Sequence, residues 1–399
     1  MKKRFSMLLL VLIMVMCGLF SLTFLSAAAG ETFQVTVKAA AGGKVSTDGT
    51  NWSDSVVVSI ANGATLGDSV KYKPDEGYKL DGVIASTILK KVVASALNTA
   101  VIDNAGNLYT AGDNERGQLG RKLGSYIYED SVLTKVDTSA KITDVAMGAK
   151  HLVVLDENGD VWTAGANPYG ELGTDVNVGK SYGENATLTK VTVGDGSVKI
   201  KAVAAGQYHT ILIDENGGVW TAGLNSSGQL GRSNNVGNST QNAVFQKVDG
   251  LDAVKIVSAA GGAAHTILLD EDGNVWTAGT SNYNVLGRQT EGTPNKVTSN
   301  PTFEKVTDGI SGVKITAIAA GSYHNVLLDE NGNVWTVGSN LYGELGRKPL
   351  QSSSSVFEKA DLQGAAAAKF IAAYGSATVV IDTDGYARTC GIHSGHLGR

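Results

Sequence analysis

The chain has 399 residues, a formal charge of −5, 50 glycines, five prolines and two cysteines. An acidic balance argues against nucleic acid and anionic membrane as main partners, since both reward a basic patch. The two cysteines, Cys17 and Cys390, give no intramolecular disulfide framework once the first is lost with a leader.

Lys2, Lys3 and Arg4 precede an apolar run from Met7 to Leu25, and Ala27, Ala28 and Ala29 follow it. A basic start, an apolar middle and a small-residue exit read as a secretory signal peptide over residues 1–29, cut after Ala29. The rival reading is an uncleaved signal anchor, because the run approaches the length of a membrane span. The alanines favour cleavage. Cys17 does not fit a lipoprotein signal, since bulky Met16 precedes it and more apolar sequence follows. Loss of the three basic residues takes the mature chain from −5 to −8. The expected location is secreted or cell-surface.

Residues 30–84 have a different texture. Phe33, Val35 and Val37 alternate, Gly42-Gly43 turns, and Val56, Val58 and Ile60 alternate again. The stretch predicts a small β module of about four strands. Its strand, Gly-Gly turn, later strand and Gly77-Tyr78-Lys79-Leu80-Asp81-Gly82 ending resemble the divergent internalin-type B repeats of bacterial surface proteins. The resemblance implies a β-grasp-like spacer or adhesion module. The alternative is a cap packed on the domain that follows.

From residue 85 one sentence is written repeatedly. In Gly206–Arg232 it runs GQYHTILIDENGGVWTAGLNSSGQLGR: a Gly-x-x-His corner, an apolar run, a polar turn, a second apolar run and a loop ending in Leu-Gly. Two short β-rich runs around an Asn/Asp/Gly turn signal a hairpin. Copies stand at His151–Gly173, His265–Gly287 and His324–Gly346, with a weaker one at Asn98–Gly120 and a worn one at Ala377–Gly398. The Leu-Gly pairs recur at spacings of 53, 58, 56, 59 and 52 residues. A fixed unit of this length points to stacked or radial supersecondary units. In the third clear unit, Lys199–Ala204, His209–Ile213, Gly218–Thr221 and Val244–Val248 make four strands. Four antiparallel strands repeated radially are the blades of an all-β propeller.

The run Val161-Trp162-Thr163-Ala164-Gly165-Ala166-Asn167-Pro168-Tyr169-Gly170-Glu171-Leu172-Gly173, written again from Val219, Val275 and Val334, resembles the regulator of chromosome condensation repeat. The resemblance covers residues 85–399 and implies a propeller of seven blades. Six hairpin cores are visible. The sequence stops in mid-unit at Leu397-Gly398-Arg399, with Arg388 at the Trp position of the last copy. Either more chain follows, or an upstream strand such as Val70–Lys73 closes the last blade.

Strand parity assigns faces. In an up-down meander the Gly-x-x-His corners and the Asn-x-x-Gly-x-Leu-Gly loops share one face, with the variable insertions 174–187, 233–243, 288–301 and 347–355. That face collects Tyr169, Tyr182, Tyr208, Tyr283, Tyr323 and Tyr342, and tyrosine among Asn, Ser and Gly suits a binding surface. The opposite face carries Asp156-Glu157, Asp214-Glu215, Asp270-Glu271-Asp272, Asp329-Glu330, Asp382 and Asp384, which predicts an acidic ring.

No metal or cofactor is expected. His151, His209, His265 and His324 recur once per blade, so the ring holds them too far apart for one ion. They read as structural corners bonding backbone within each blade. The Asp-x-Asn/Asp-Gly turns lack the bidentate Glu of a calcium loop. Trp162, Trp220, Trp276 and Trp335 share one strand position, which points to packing between blades; a carbohydrate platform would need exposed rings. No Gly-x-Ser-x-Gly elbow or phosphate loop is present. The expectation is a monomeric, non-catalytic bacterial protein that binds another protein through its tyrosine face. The alternatives are a propeller enzyme, with one pocket on one blade, and a structural spacer of the envelope. Among the functions the resemblance implies, nucleotide exchange needs an intracellular GTPase, which a signal peptide disfavours.

Overall fold

In the computed structural model, residues 89–392 are described apart from 96, 125–127, 181–184, 290–297, 349–350 and 365, together with the backbones of five earlier strands. The chain divides into two units, Met1–Val92 with Asp103–Ala105, and Val93–Ile102 with Gly106–Arg399.

The first unit is built of strands. Thr32–Ala39 pairs antiparallel with Ser55–Ala61, Thr32 lying opposite Ala61, where the alternating residues predict strands. Phe20–Phe24, inside the expected leader, lies on the other edge of Thr32–Ala39. The rest of residues 1–29 lies outside the described residues. No helix among the described residues is long and apolar enough to cross a membrane. Lys71–Pro74 pairs with Gly43–Ser46.

The second unit carries the repeats. Six antiparallel sheets follow in chain order among the described residues, where the resemblance implied seven blades. The third blade runs Ile200–Ala205, His209–Asp214, Val219–Gly223 and Gln246–Lys247. The second, fourth and fifth have the same strand order. The first has Leu89–Ala94, Asn98–Asp103, Leu108–Asp113 and Glu129–Val136. The sixth has Ala368–Tyr374, Ala377–Asp382 and Ala387–Gly391 among the described residues. From the second blade to the sixth, the first strands of successive blades lie side by side, so these blades radiate from them.

The second to fifth blades are buried on both faces, which explains runs that are continuously apolar instead of alternating; in the sixth, Ala377–Asp382 alternates between buried and half-buried residues. On His209–Asp214, Leu212 packs into the core shared with the second blade. Ile211 and Ile213 pack into the core shared with the fourth. The same parity splits Leu268 from Ile267 and Leu269, and Leu327 from Val326 and Leu328. Five such cores join the six blades.

The Leu-Gly pairs are seats for the next blade. A Cβ on Gly173 would lie 2.0 Å from the Phe245 ring, and one on Gly231 2.1 Å from the Phe303 ring. Both aromatics sit on the segment that carries or leads into the fourth strand of the following blade. Only glycine leaves them room, and both glycines hold a positive φ.

Candidate functional site

The corners form a hydrogen-bonded girdle from blade to blade. The Thr210 hydroxyl donates to the Glu171 carbonyl at 2.6 Å, so it accepts from His151 Nε2–H at 3.1 Å. Thr266 plays the same part between the Gln229 carbonyl and His209 Nε2, at 2.7 and 2.8 Å. Thr378 does so between Glu344 and His324. Asn325 replaces the threonine at the fourth-to-fifth junction, its Oδ1 accepting from His265 and its Nδ2 donating to the Val285 carbonyl. This corrects the expectation that each imidazole bonds backbone within its own blade. The ring reaches a side chain of the next blade, and that side chain relays the bond to a backbone carbonyl.

The Gly of each Gly-x-x-His exists for this ring. A Cβ on Gly206 would lie 2.1 Å from His209 Cε1 and 2.7 Å from the Gly262 carbonyl. Nδ1 of His209, His265 and His324 is buried with no hydrogen-bond partner. A second ring proton would therefore meet no acceptor. Burial pushes His151, His265 and His324 down to about 4. Burial, followed by the neighbouring histidines, pushes His209 to about 3. All four are neutral at physiological pH.

The hairpin-turn face carries only part of the acidic ring that the sequence suggested: Glu157, Glu215, Glu271, Asp272, Glu330 and Asp384 are exposed, but the turn aspartates are not. Asp156, Asp214, Asp270, Asp329 and Asp382 are buried. One oxygen of Asp214 accepts the Asn216 and Gly218 N–H groups, and the other accepts Trp220 Nε1 at 2.9 Å. The same three bonds recur at Asp156, Asp270 and Asp329. Burial raises the Asp270 carboxyl, but the Trp276 and Asn274 bonds outweigh it and hold the group below its usual range. In the worn sixth blade Arg388 takes the Trp position and its Nε lies 3.5 Å from Asp382. Several of the remaining surface charges are paired: Lys190 and Lys199 with Asp160, and Lys255 with Glu271. The face is charge-mixed because its repeated Asp serves the turn and the indole.

Trp162, Trp220, Trp276 and Trp335 are half-buried, and each ring packs against a core between two blades. With their Nε1 groups already bonded, they offer no exposed stacking platform.

The tyrosines come together in couples that bridge blades. Tyr169, on a second-blade loop, meets Tyr208, at a third-blade corner, edge-on with centroids 5.4 Å apart. Tyr283 and Tyr323 repeat the arrangement between the fourth and fifth blades at 5.3 Å. Between these couples the same positions are held by Ser227 and Ala264. Between the first and second blades Arg116 and Lys150 hold these positions, and Lys150 pairs with the adjacent Glu115 at 2.7 Å. Leu341 and Tyr342, adjacent on the fifth-blade loop, are 52 % and 55 % exposed. Tyr182 lies outside the described residues. Tyr283 sits at φ 53°, ψ 19°, a left-handed conformation costly for a bulky residue and commonest where function holds it.

One loop carries an unusual carboxyl. Glu171, 1 % exposed, accepts the Tyr169 N–H through Oε2. Its counterpart Glu344 accepts Tyr342 N–H likewise and also the Ser339 hydroxyl at 2.6 Å. Ala166 stands where Ser339 would, and Gln118 and Gln229 hold the place in other blades. Burial pushes Glu171 up to about 7, against the weaker pull of backbone N–H groups.

The structure adds Thr210, Thr266, Asn325 and Thr378, which sequence reasoning passed over. Their signal was a polar residue directly after the corner position, at the start of an apolar run. The weak first copy shows the reverse: Asn98 replaces the His, and Leu152 replaces the threonine of the following blade.

Two sequence profiles of the regulator of chromosome condensation (RCC1) repeat match this chain. One matches residues 105–155, 158–213, 216–269 and 272–328, the other residues 142–171, 200–229 and 315–344. Human E3 ubiquitin-protein ligase HERC2 is 28 % identical over 267 residues, 66 % of this chain and 5 % of that protein. Arabidopsis thaliana ultraviolet-B receptor UVR8 is 29 % identical over 60 % of this chain and 51 % of its own length. Xenopus laevis regulator of chromosome condensation is 28 % identical over 64 % of this chain and 60 % of its own. The chain thus spans less than two thirds of each of these relatives. Human WBSCR16 superposes with a TM-score of 0.64 at 20 % identity, covering 92 % of this chain and 86 % of that one. Saccharomyces cerevisiae Prp20p, described with binding properties to Gsp1p and histones, gives 0.63 at 19 %, covering 93 % and 82 %. At such identities these structures speak for the fold.

Proposed function

The chain belongs to the regulator of chromosome condensation (RCC1) repeat family, and from that premise we propose a non-catalytic module that binds another protein through its tyrosine-bearing loop face. The observation that carries this is the pair of tyrosine couples across blade junctions. Tyrosine gives a large amphipathic contact at low entropy cost, and here each ring is braced by another ring while staying partly exposed. The girdle beneath holds the corners rigid, so little ordering remains to be done on binding. Relatives supply precedent, since Prp20p is described as binding Gsp1p and histones.

The basic, apolar and alanine-rich leader supports export, and hence a partner in the envelope or outside a bacterial cell. Export also separates this chain from intracellular GTPases, so the exchange role of some family members is not carried over. The ligase activity named for HERC2 is not carried over either, because the match covers 5 % of that protein.

Binding to envelope and host extracellular proteins tests the proposal, with the full chain beside a Tyr208→Ala, Tyr323→Ala, Tyr342→Ala variant. We expect a partner that binds the first with at least tenfold higher affinity, while both unfold at similar temperatures. Equal affinity would remove the tyrosine face from the interaction.

A further inference from the structure

Two lysines recur in the blades on the hairpin-turn side. One lies opposite the Trp position on the fourth strand: Lys190, Lys247, Lys305 and Lys359 face Trp162, Trp220, Trp276 and Trp335 in register. The other enters the first strand: Lys141, Lys199, Lys255 and Lys314. Nearly all of them are engaged. Lys190 pairs with Asp160 at 2.6 Å, Lys247 with Asp252 at 2.9 Å, and Lys359 lies over the Trp335 ring. Lys141 reaches Glu157, Lys199 reaches Asp160, and Lys255 reaches Glu271. Lys305 and Lys314 are the exceptions. Among the described residues neither has an ion pair or a side-chain hydrogen bond, and both line one cavity of about 280 Å³ on the fourth blade.

The cause is local. In the third blade, Leu251-Asp252-Ala253-Val254 forms a turn closed by Val254 N–H on the Leu251 carbonyl, and its Asp252 neutralises Lys247. In the fourth, Ile310-Ser311-Gly312-Val313 forms the same turn with the same bond. Ser311 replaces the aspartate and Gly312 replaces the alanine. The carboxylate that would quench Lys305 is gone, and a Cβ on Gly312 would meet nothing within 4 Å. Nearby Glu304 is taken by Arg288, and Asp308 accepts the Gln289 N–H. Asp272 is the remaining acid on the wall. The pocket is therefore lined by two uncommitted lysines and a serine, with Val306, Ile310 and Val313 as its apolar part.

We propose that this pocket on the fourth blade binds a small organic oxyanion, a carboxylate or phosphate held by Lys305, Lys314 and the Ser311 hydroxyl. Two lysines and a donor hydroxyl match an oxyanion's charge and its acceptor lone pairs. The volume, below that usual for drug-sized ligands, admits only a small body beside the apolar part. The site lies on the face opposite the tyrosines and is independent of them.

Calorimetric titration of the full chain at constant ionic strength, with inorganic phosphate and succinate as separate probes, tests this. We expect saturable binding of at least one probe, and the tighter of the two identifies the head group. Lys305→Gln with Lys314→Gln lowers that affinity at least tenfold. Ser311→Asp does the same with an unchanged melting temperature, because it installs the acid that the third blade already tolerates. The tyrosine variant above binds the probe as the unaltered chain does. Absence of saturation by both probes, or unchanged affinity in Ser311→Asp, overturns the proposal.

Discussion

Corners and loop tips lie on one face of the propeller, yet they obey different rules. At the corners one solution is used four times over: a His ring seated on its own Gly and bonded into the next blade. At the tips no one solution holds throughout: the first four junctions carry an ion pair, a tyrosine couple, a serine with an alanine, and a second couple in turn. The difference lies in burial. A corner is packed against both neighbouring blades, so any change must be absorbed by close-packed atoms. A tip has solvent on one side and can vary without cost to the fold. Function is therefore sought where the repeats disagree and stability where they agree. The fourth-blade pocket follows the same rule on the opposite face.

The comparison can be broken most severely at a corner glycine. Gly206→Ala is expected to cost about 3 kcal/mol, an overpacking penalty at the upper end of its range, because His209 and the Gly262 carbonyl occupy the space. Gly250→Ala is the control: unlike Gly206 it holds a positive φ, at 79°, but nothing lies within 4 Å of the new methyl. It should cost about 1 kcal/mol from backbone strain alone. Urea unfolding of the two variants measures the difference, and equal losses would mean that seating the ring is not what fixes the glycine.

A second expectation concerns acid. A histidine near 6.5 when unfolded and at about 4 when folded binds its proton in the unfolded chain first. Its stabilising effect is complete above pH 6.5 and is lost as pH falls toward 4. Each such histidine contributes a slope of up to about 1.4 kcal/mol per pH unit in that window. His209→Gln should flatten the profile of unfolding free energy against pH while lowering stability at pH 7. A variant with an unchanged slope would count against a neutral, buried ring.

Glu171 runs the other way. Its carboxyl is at about 7 folded against 4.5 ordinarily, so its contribution is complete below pH 4.5 and is lost as pH rises through 7. Glu171→Gln, the residue type of the first and third blades, should stabilise the protein by about 1–2 kcal/mol at pH 8 and by little at pH 5. Ala166→Ser, which copies the Ser339 donor of the fifth blade, should lower the Glu171 pKa, as a carboxyl NMR titration would show. A smaller effect is expected at the tips. A double-mutant cycle on Tyr169 and Tyr208 should give a coupling of about 0.5–1.5 kcal/mol, with far less coupling between Ser227 and Ala264. Similar values at both junctions would remove the distinction drawn between them.

The hairpins, the blade order and the family were legible in the sequence, because an apolar run, an Asp-x-Asn/Asp-Gly turn and a Leu-Gly close report local geometry. Strand parity also placed Tyr169 with Tyr208, and Tyr283 with Tyr323, on one face. That each pair touches depends on which blade follows which, and so does the reach of His209 to Thr266, 57 residues away. The acidic ring is weaker than the sequence suggests for a related reason, since its exposed members are the residues beside the turn aspartates and not those aspartates themselves. Composition counts a carboxylate as surface charge, whereas Asp214 and its equivalents spend both oxygens on their own turn and on an indole six residues on. The pocket was hidden differently, since Ser311 is unremarkable until Asp252 is seen neutralising Lys247 in the blade before it. A repeat encodes its own unit within a short stretch of chain. The chemistry between units is set by what the fold brings together across stretches of chain such as the 35 residues from Glu115 to Lys150 or the 60 from His265 to Asn325, and only the tertiary structure decides that.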